Sequence, residues 1–140
     1  MFQLDPTNAF HARVADRLKH EVVGWLTTVG ANGVPQPNPV WFLWEDGTIL
    51  IYSQPNTPKV RNVGRHPRVA LNLNSGADGD NIVVLTGEAR LDPATPPADR
   101  HPAYLAKYTG GIAAIGMTPA SFAAAYSTAI RVTPAKLRGH

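Results

Sequence analysis

Proline occupies every second position of one short stretch of the chain, at Pro35, Pro37 and Pro39. In an extended segment, residues i, i+2 and i+4 turn their backbone N–H groups to the same edge, so three donors are missing from one side. That edge cannot complete an antiparallel ladder, which restricts the segment to a sheet margin or a bulge. The opposite edge keeps the N–H groups of Gln36, Asn38 and Val40. The strand therefore lies at an open seam, or has a ligand in place of a neighbouring strand, or guards an edge against aggregation.

The flanking sequence supplies the strand's partners. Val22–Val29 is rich in β-branched and aromatic residues and stops at Gly30-Ala31-Asn32-Gly33. An Asn-Gly pair between extended segments is a strong hairpin signal. The return strand is read as Pro35–Trp44, turning at Glu45-Asp46-Gly47 into a third strand, Thr48–Tyr52. Ahead of the hairpin, Asp5-Pro6-Thr7 offers a helix start, and Phe10, Val14 and Leu18 form one apolar stripe over residues 8–20. Thr57-Pro58 opens a short helix that ends at Gly64. Arg68–Asn74 is a fourth strand with Val69, Leu71 and Leu73 on one face. Asn81–Leu91 is a fifth, with a bulge expected at Gly87. A proline-rich connection, Asp92–Pro102, leads to helical Ala103–Tyr108 and Pro119–Tyr126, with Thr109–Met117 a loop between them. Ser127–Val132 closes as a sixth strand, and the basic tail Lys136–His140 is read as a frayed end, with folding back over a site as the alternative. Hairpin-linked short strands with helices inserted at two places predict an α+β fold, a small antiparallel barrel with peripheral helices.

A chain of 140 residues suits one domain, spanning 1–140, and a hydrophobic share of 44% excludes wholesale disorder. Charged residues make up only 16%, against roughly 25% in an average domain, which suggests surface buried against a second copy. The net charge of +3 is dispersed, so no nucleic-acid stripe is read from it. With no cysteine, disulfides, thiolate nucleophiles and zinc fingers are excluded. The five histidines lie far apart, and no metal site is expected. Neither a signal-peptide run nor a membrane-length apolar segment is seen, and a cytoplasmic protein is the expectation.

The segment Ser53-Gln54-Pro55-Asn56-Thr57-Pro58-Lys59-Val60 carries the clearest chemical signal. Thr57 suits the N-cap and Pro58 the first helical position. The N–H groups of Lys59 and Val60 then face the positive end of the helix dipole. The Lys59 ammonium adds charge, and Ser53 and Thr57 add hydroxyls. Such a grouping fits a phosphate monoester or diester; it equally fits a capped surface helix with a solvated lysine. Trp25, Trp41 and Trp44 are read mainly as core, Asn72 and Asn74 as solvated, and Tyr104, Tyr108, Phe122 and Tyr126 as helix-packing residues. No Ser/His/Asp triad order, Walker loop or G-x-G-x-x-G is present, so catalytic residues are not assigned; in an enzyme of this kind a cofactor would carry the reactivity.

The order of these elements resembles a known family. Gly24–Val29, the Asn-Gly turn, Pro39-Val40-Trp41-Phe42, Ile49–Ser53, Thr57–Asn62, Pro67–Leu71, Thr86-Gly87-Glu88-Ala89 and Ile130–Pro134 together are similar to the pyridoxamine 5'-phosphate oxidase-like split-barrel proteins. The likeness is to the actinobacterial class that uses the deazaflavin coenzyme F420. The resemblance implies a homodimer of six-stranded FMN-binding-type split barrels with cofactor sites at the subunit interface. It implies that Lys59 holds a phosphate, with Ser53 and Thr57 as neighbouring donors, the Val60 N–H beside them and Gln54 next to the phosphate or ribityl chain. Asn38, Pro39 and Val40 would contact the ring. It further implies hydride transfer from reduced F420 to a quinone, a tetrapyrrole or another conjugated acceptor. FMN in the same site, and a non-catalytic cofactor-binding protein, are the alternatives.

Overall fold

The computed structural model describes residues 2–140. In chain order the elements are α1 (Ala9–His20), β1 (Val23–Val29), β2 (Pro35–Trp41), β3 (Leu43–Glu45), β4 (Thr48–Ser53), α2 (Pro58–Arg65), β5 (Arg68–Leu73) and β6 (Val83–Leu91). A 3-10 turn at Ala98–Arg100, α3 (Pro102–Ala114), α4 (Pro119–Ala125) and β7 (Thr128–Gly139) complete it. The fold is α+β, as expected. Its seven strands form one curled antiparallel sheet in the order β2-β1-β5-β6-β7-β4-β3.

The expected hairpin is present, with Thr27 opposite Pro37 and Trp25 opposite Pro39. Gly33 takes φ +81°, a conformation that glycine adopts without penalty, and Gly30 N–H donates to Val34 O at 2.9 Å. Stepping from that bonded pair by twos places Gln36, Asn38 and Val40 at the positions that bond to β1. The prolines thus face away from β1, along the sheet's outer margin.

Six strands were expected and seven are found, because the segment read as Pro35–Trp44 divides at Phe42. There the backbone is claimed by side chains of α3. Phe42 N–H donates to Tyr108 Oη at 2.8 Å, and Lys107 Nζ donates to Phe42 O at 2.8 Å. With both groups taken, the ladder cannot run through this residue. Before the break the chain pairs with β1; after it, β3 pairs with β4. The two ends of the sheet are therefore consecutive pieces of one chain.

The basic tail is a strand rather than a frayed end. β7 continues to Gly139 along β6, and Ile82 and His140 exchange two backbone bonds at 3.0 and 3.1 Å. The ladder tolerates Pro134, which has no N–H, because the register slips between Thr86 and Gly87 and sets Pro134 opposite Gly87. A Cβ on Gly87 would sit 2.1 Å from Thr133 O, so the bulge foreseen there requires glycine. The expected loop at Thr109–Met117 is largely helix: α3 runs on to Ala114 because Tyr104, Tyr108 and Ile112, spaced by four, bury one continuous stripe. Gly111 lets the Trp41 indole pass, since a Cβ there would lie 3.1 Å from it.

Two apolar clusters result. One fills the concave side of the sheet beneath α1, with Val14, Leu18, Leu26, Phe42, Ile49, Leu71 and Ile130 buried. The other lies between the sheet and the α3–α4 pair, built on Leu50, Tyr52, Tyr104, Tyr108, Ile112 and Phe122. Among the described residues no helix is long and apolar enough to cross a membrane.

Candidate functional site

A cleft of about 270 Å³ opens where the second cluster meets the middle of the chain. It is lined by Pro39, Val40 and Trp41 of β2, Tyr52 of β4, Lys59 of α2, Tyr104 and Ile115 at the two ends of α3, and Phe122 and Tyr126 around α4. Its wall is flat. Trp41 stacks on Tyr108 at 4.8 Å and 12° and on Phe122 at 5.7 Å and 24°, and Phe122 stacks on Tyr126 at 4.5 Å and 15°. The rings stack in the order Tyr108, Trp41, Phe122, Tyr126, so the two inner rings are covered on both faces and the partly exposed Tyr126, at the outer end, is the ring against which another flat conjugated molecule can stack.

One cation stands at this wall. Lys59 is half-buried, and among the described residues it has neither an ion-pair partner nor a side-chain hydrogen bond. Burial lowers its pKa from the ordinary lysine range. Desolvating an ammonium without a partner is costly, so a negatively charged group at the cleft mouth would find an incompletely solvated counter-charge.

α2 begins as its sequence dictates, with Thr57 at the N-cap and Pro58 next. Thr57 Oγ1 accepts Val60 N–H at 3.4 Å and lies 3.2 Å from Ser53 Oγ, which itself donates to Gln54 O at 2.8 Å. The Ser53 proton is thus engaged within the chain, and Ser53 is buried. The helix is anchored from below by Asn62, also buried, whose amide donates to Thr28 Oγ1 at 3.0 Å and Gln36 Oε1 at 2.9 Å. Arg65 donates to the Asn62 carbonyl oxygen at 2.8 Å. This polar knot fixes α2, and with it Lys59, against β1 and β2.

Of the residues singled out in the sequence, Pro39, Val40 and Lys59 come together in the cleft, and Ser53, Thr57 and Val60 cluster at the adjoining start of α2. Asn38, half-exposed, shares the strand face of Gln36 and Val40 but does not line the cleft, and Gln54 is exposed in the loop before α2. The sequence reading missed the aromatic wall. Trp41, Tyr104, Phe122 and Tyr126 were assigned to packing, and they do pack; the spacing of aromatics along two successive helices was the available signal that they also face a common space.

Tyr104 is fully buried, and its hydroxyl is the one buried side-chain polar atom among the described residues with no hydrogen-bond partner. Such an orphan costs about 1–3 kcal/mol. Burial also pushes its pKa above the ordinary phenol range, so it stays protonated. Among the described residues no group of three or more His, Cys, Asp or Glu side chains forms a metal cluster, and no carboxylate or histidine lines the cleft.

The sequence profile of the pyridoxamine 5'-phosphate oxidase family matches residues 10–140. The chain belongs to this family. Solved structures with the same fold include an F420 reductase, 22% identical, covering 88% of this chain and 94% of that one, with a TM-score of 0.67. A Listeria innocua protein of the pyridoxamine 5'-phosphate oxidase type is 20% identical over 91% of this chain and 94% of its own, with a TM-score of 0.68. The heme storage protein HutZ from Vibrio cholerae is 12% identical over 99% of this chain and 95% of its own, with a TM-score of 0.64. At these identities the likeness establishes the fold alone. No match was found among curated proteins.

Proposed function

We propose that the cleft binds the ring of a flavin-type cofactor, coenzyme F420 with FMN as the alternative, and that the protein is an oxidoreductase acting on a conjugated, electron-poor acceptor such as a quinone or tetrapyrrole. The observation that carries this reading is a half-buried lysine without a carboxylate partner at the mouth of a cleft walled by parallel aromatic rings. A planar ring attached to a phosphate satisfies both halves of that arrangement. The family membership and the F420 reductase among the structures of like fold support it.

When bound, the cofactor supplies the hydride. The chain's residues do the rest. Lys59, beside the start of α2, holds the phosphate, with the Thr57 hydroxyl within reach of the same group. Tyr126 offers its outer face to the ring, Trp41 and Phe122 stacked behind it keep water out, and Pro39 and Val40 bound the ring from the strand. With no carboxylate or histidine at the wall, the acceptor takes its proton from solvent.

The protein works as a cytoplasmic homodimer in this reading. A cleft of about 270 Å³ is smaller than the roughly 300–1,000 Å³ of sites that enclose a small molecule, so one chain covers the ligand only in part. The face of β1, β5 and β6 that points away from the core presents Trp25, Thr27, Val29, Ala70, Asn72, Val84 and Thr86, all only partly exposed, with the charged pair of positions Arg68 and Glu88 at its edge. A second copy covering this face would account for the low charge content of the whole chain.

Parallel titrations with F420 and FMN test the assignment. F420 is expected to bind at micromolar concentration or tighter and FMN more weakly. Lys59→Ala should weaken both by at least about tenfold, the value of one charge-assisted contact. Unchanged affinity in that variant removes Lys59 from the role; absence of binding to either cofactor overturns the reading. Tight binding with no turnover by any quinone or tetrapyrrole would make the protein a carrier.

A further inference from the structure

The orphaned hydroxyl of Tyr104 says something about the ligand that the lysine does not. The two tyrosines whose rings pack on it have found partners: Tyr52 Oη donates to Pro96 O at 2.5 Å, and Tyr108 Oη donates to Val22 O at 2.6 Å while accepting from Phe42 N–H. Tyr104 sits among them, its ring edge-on to Tyr52 at 4.8 Å and tilted against Tyr108 at 4.9 Å. Phenylalanine would keep every one of those ring contacts. The oxygen has no hydrogen-bond partner within the fold, and it belongs to a residue that lines the cleft.

We infer that the Tyr104 hydroxyl donates a hydrogen bond to a carbonyl oxygen or ring nitrogen of the cofactor's conjugated ring, and so acts as a positioning residue that selects for a heteroatom-bearing ring. This rests on the reading of the cleft as a flavin-type site and adds to it. The ligand must carry two features, an anionic group for Lys59 and, separately, a neutral acceptor on its flat part. Because burial keeps the phenol protonated, it has a proton to give throughout the physiological range. A hydrogen bond to the ring also redistributes charge in the chromophore, which makes the contact visible in the absorption spectrum.

The test compares wild-type and Tyr104→Phe proteins, each titrated with F420 and with FMN and followed by absorbance and fluorescence. The variant is expected to bind the preferred cofactor about tenfold more weakly. Its bound spectrum should move back toward that of free cofactor, and ligand-free it should melt at the same temperature as wild type or higher. Equal affinity and an identical bound spectrum would overturn the role of the hydroxyl and leave the cofactor reading standing. A lower melting temperature of the ligand-free variant would overturn it too, since the oxygen would then have a partner within the fold. Wild-type protein that binds neither cofactor overturns both inferences together.

Discussion

Lys107 Nζ lies 2.8 Å from the carbonyl oxygen of Phe42 and 4.0 Å from the centroid of the same residue's ring. One side chain thus grips both the backbone and the aromatic face of the residue at which the margin strand breaks. Burial lowers the Lys107 pKa to about 8. Between that value and the ordinary lysine range, the unfolded chain holds a proton that the folded chain has released, so stability rises with pH across this window. Lys59 has the same sign, and the buried tyrosines, with raised pKa values, reverse the trend only at higher pH. Urea midpoints should increase from about pH 8 to 10. The slope should be shallower in Lys107→Met, and a wild-type midpoint that is flat or falling across this range would contradict the assignment.

At the acid end, Glu45 governs. Desolvation pushes its carboxyl up, but hydrogen bonds from Arg131 at 2.8 Å and from His101 outweigh this and hold it below the usual range. Its stabilisation is complete above the unfolded carboxylate pKa and is lost as the pH falls through the lower folded value. His101 Nδ1 caps α3 by accepting Tyr104 N–H at 3.3 Å, so loss of the Glu45 charge also loosens the start of that helix. Melting temperatures measured from pH 6 downward should drop less steeply in Glu45→Gln than in wild type. Arg131→Met, which strips Glu45 and Asp92 of their shared partner, should destabilise the protein by about 1–2 kcal/mol at neutral pH, the value of part-buried charge-assisted hydrogen bonds.

The bulge offers a purely steric prediction. In Gly87→Ala the new Cβ would meet two backbone atoms of the opposing strand, Thr133 O at 2.1 Å and Pro134 Cα at 2.8 Å, neither of which can swing aside. A loss of about 3 kcal/mol is expected by chemical denaturation. Gly64→Ala, whose Cβ enters open space, should be neutral or stabilising.

Much of this fold could be read from local sequence because its determinants are local. The Asn-Gly turn, the Thr57-Pro58 helix start and the alternation of Val69, Leu71 and Leu73 depend on a few adjacent residues, and each matches the structure. The misses share the opposite property. The break at Phe42 is made by residues 65 and 66 positions away, and the pairing of the basic tail depends on a register shift against another strand. The helix through Gly110-Gly111 is imposed by burial of its far face. The site divides in the same way, since the lysine is marked by its own neighbours in sequence, whereas the aromatic wall exists only once α3 and α4 lie against β2.

The outer face of β1, β5 and β6, free of charge around Ala70 and charged at its edge by Arg68 and Glu88, bears on assembly. Ala70→Glu places a carboxylate in its middle, where it stays solvated in a lone chain but would be desolvated under a second copy. Sedimentation should show wild-type dimers at micromolar concentration and Ala70→Glu shifted toward monomer, with an unaltered circular-dichroism spectrum. If one chain leaves the ligand partly uncovered, the same variant should also bind cofactor more weakly. A wild-type monomer at that concentration would count against the proposal.

The alternating prolines decide how any such neighbour can approach. Along the free margin of β2 the chain offers only oxygen atoms, at Pro35, Pro37 and Pro39, and no hydrogen to give in return. An incoming strand would find half of every rung missing, so enlargement of the sheet along this margin is closed off. A neighbour on this side must instead meet the molecule through surfaces that match by shape and side chain.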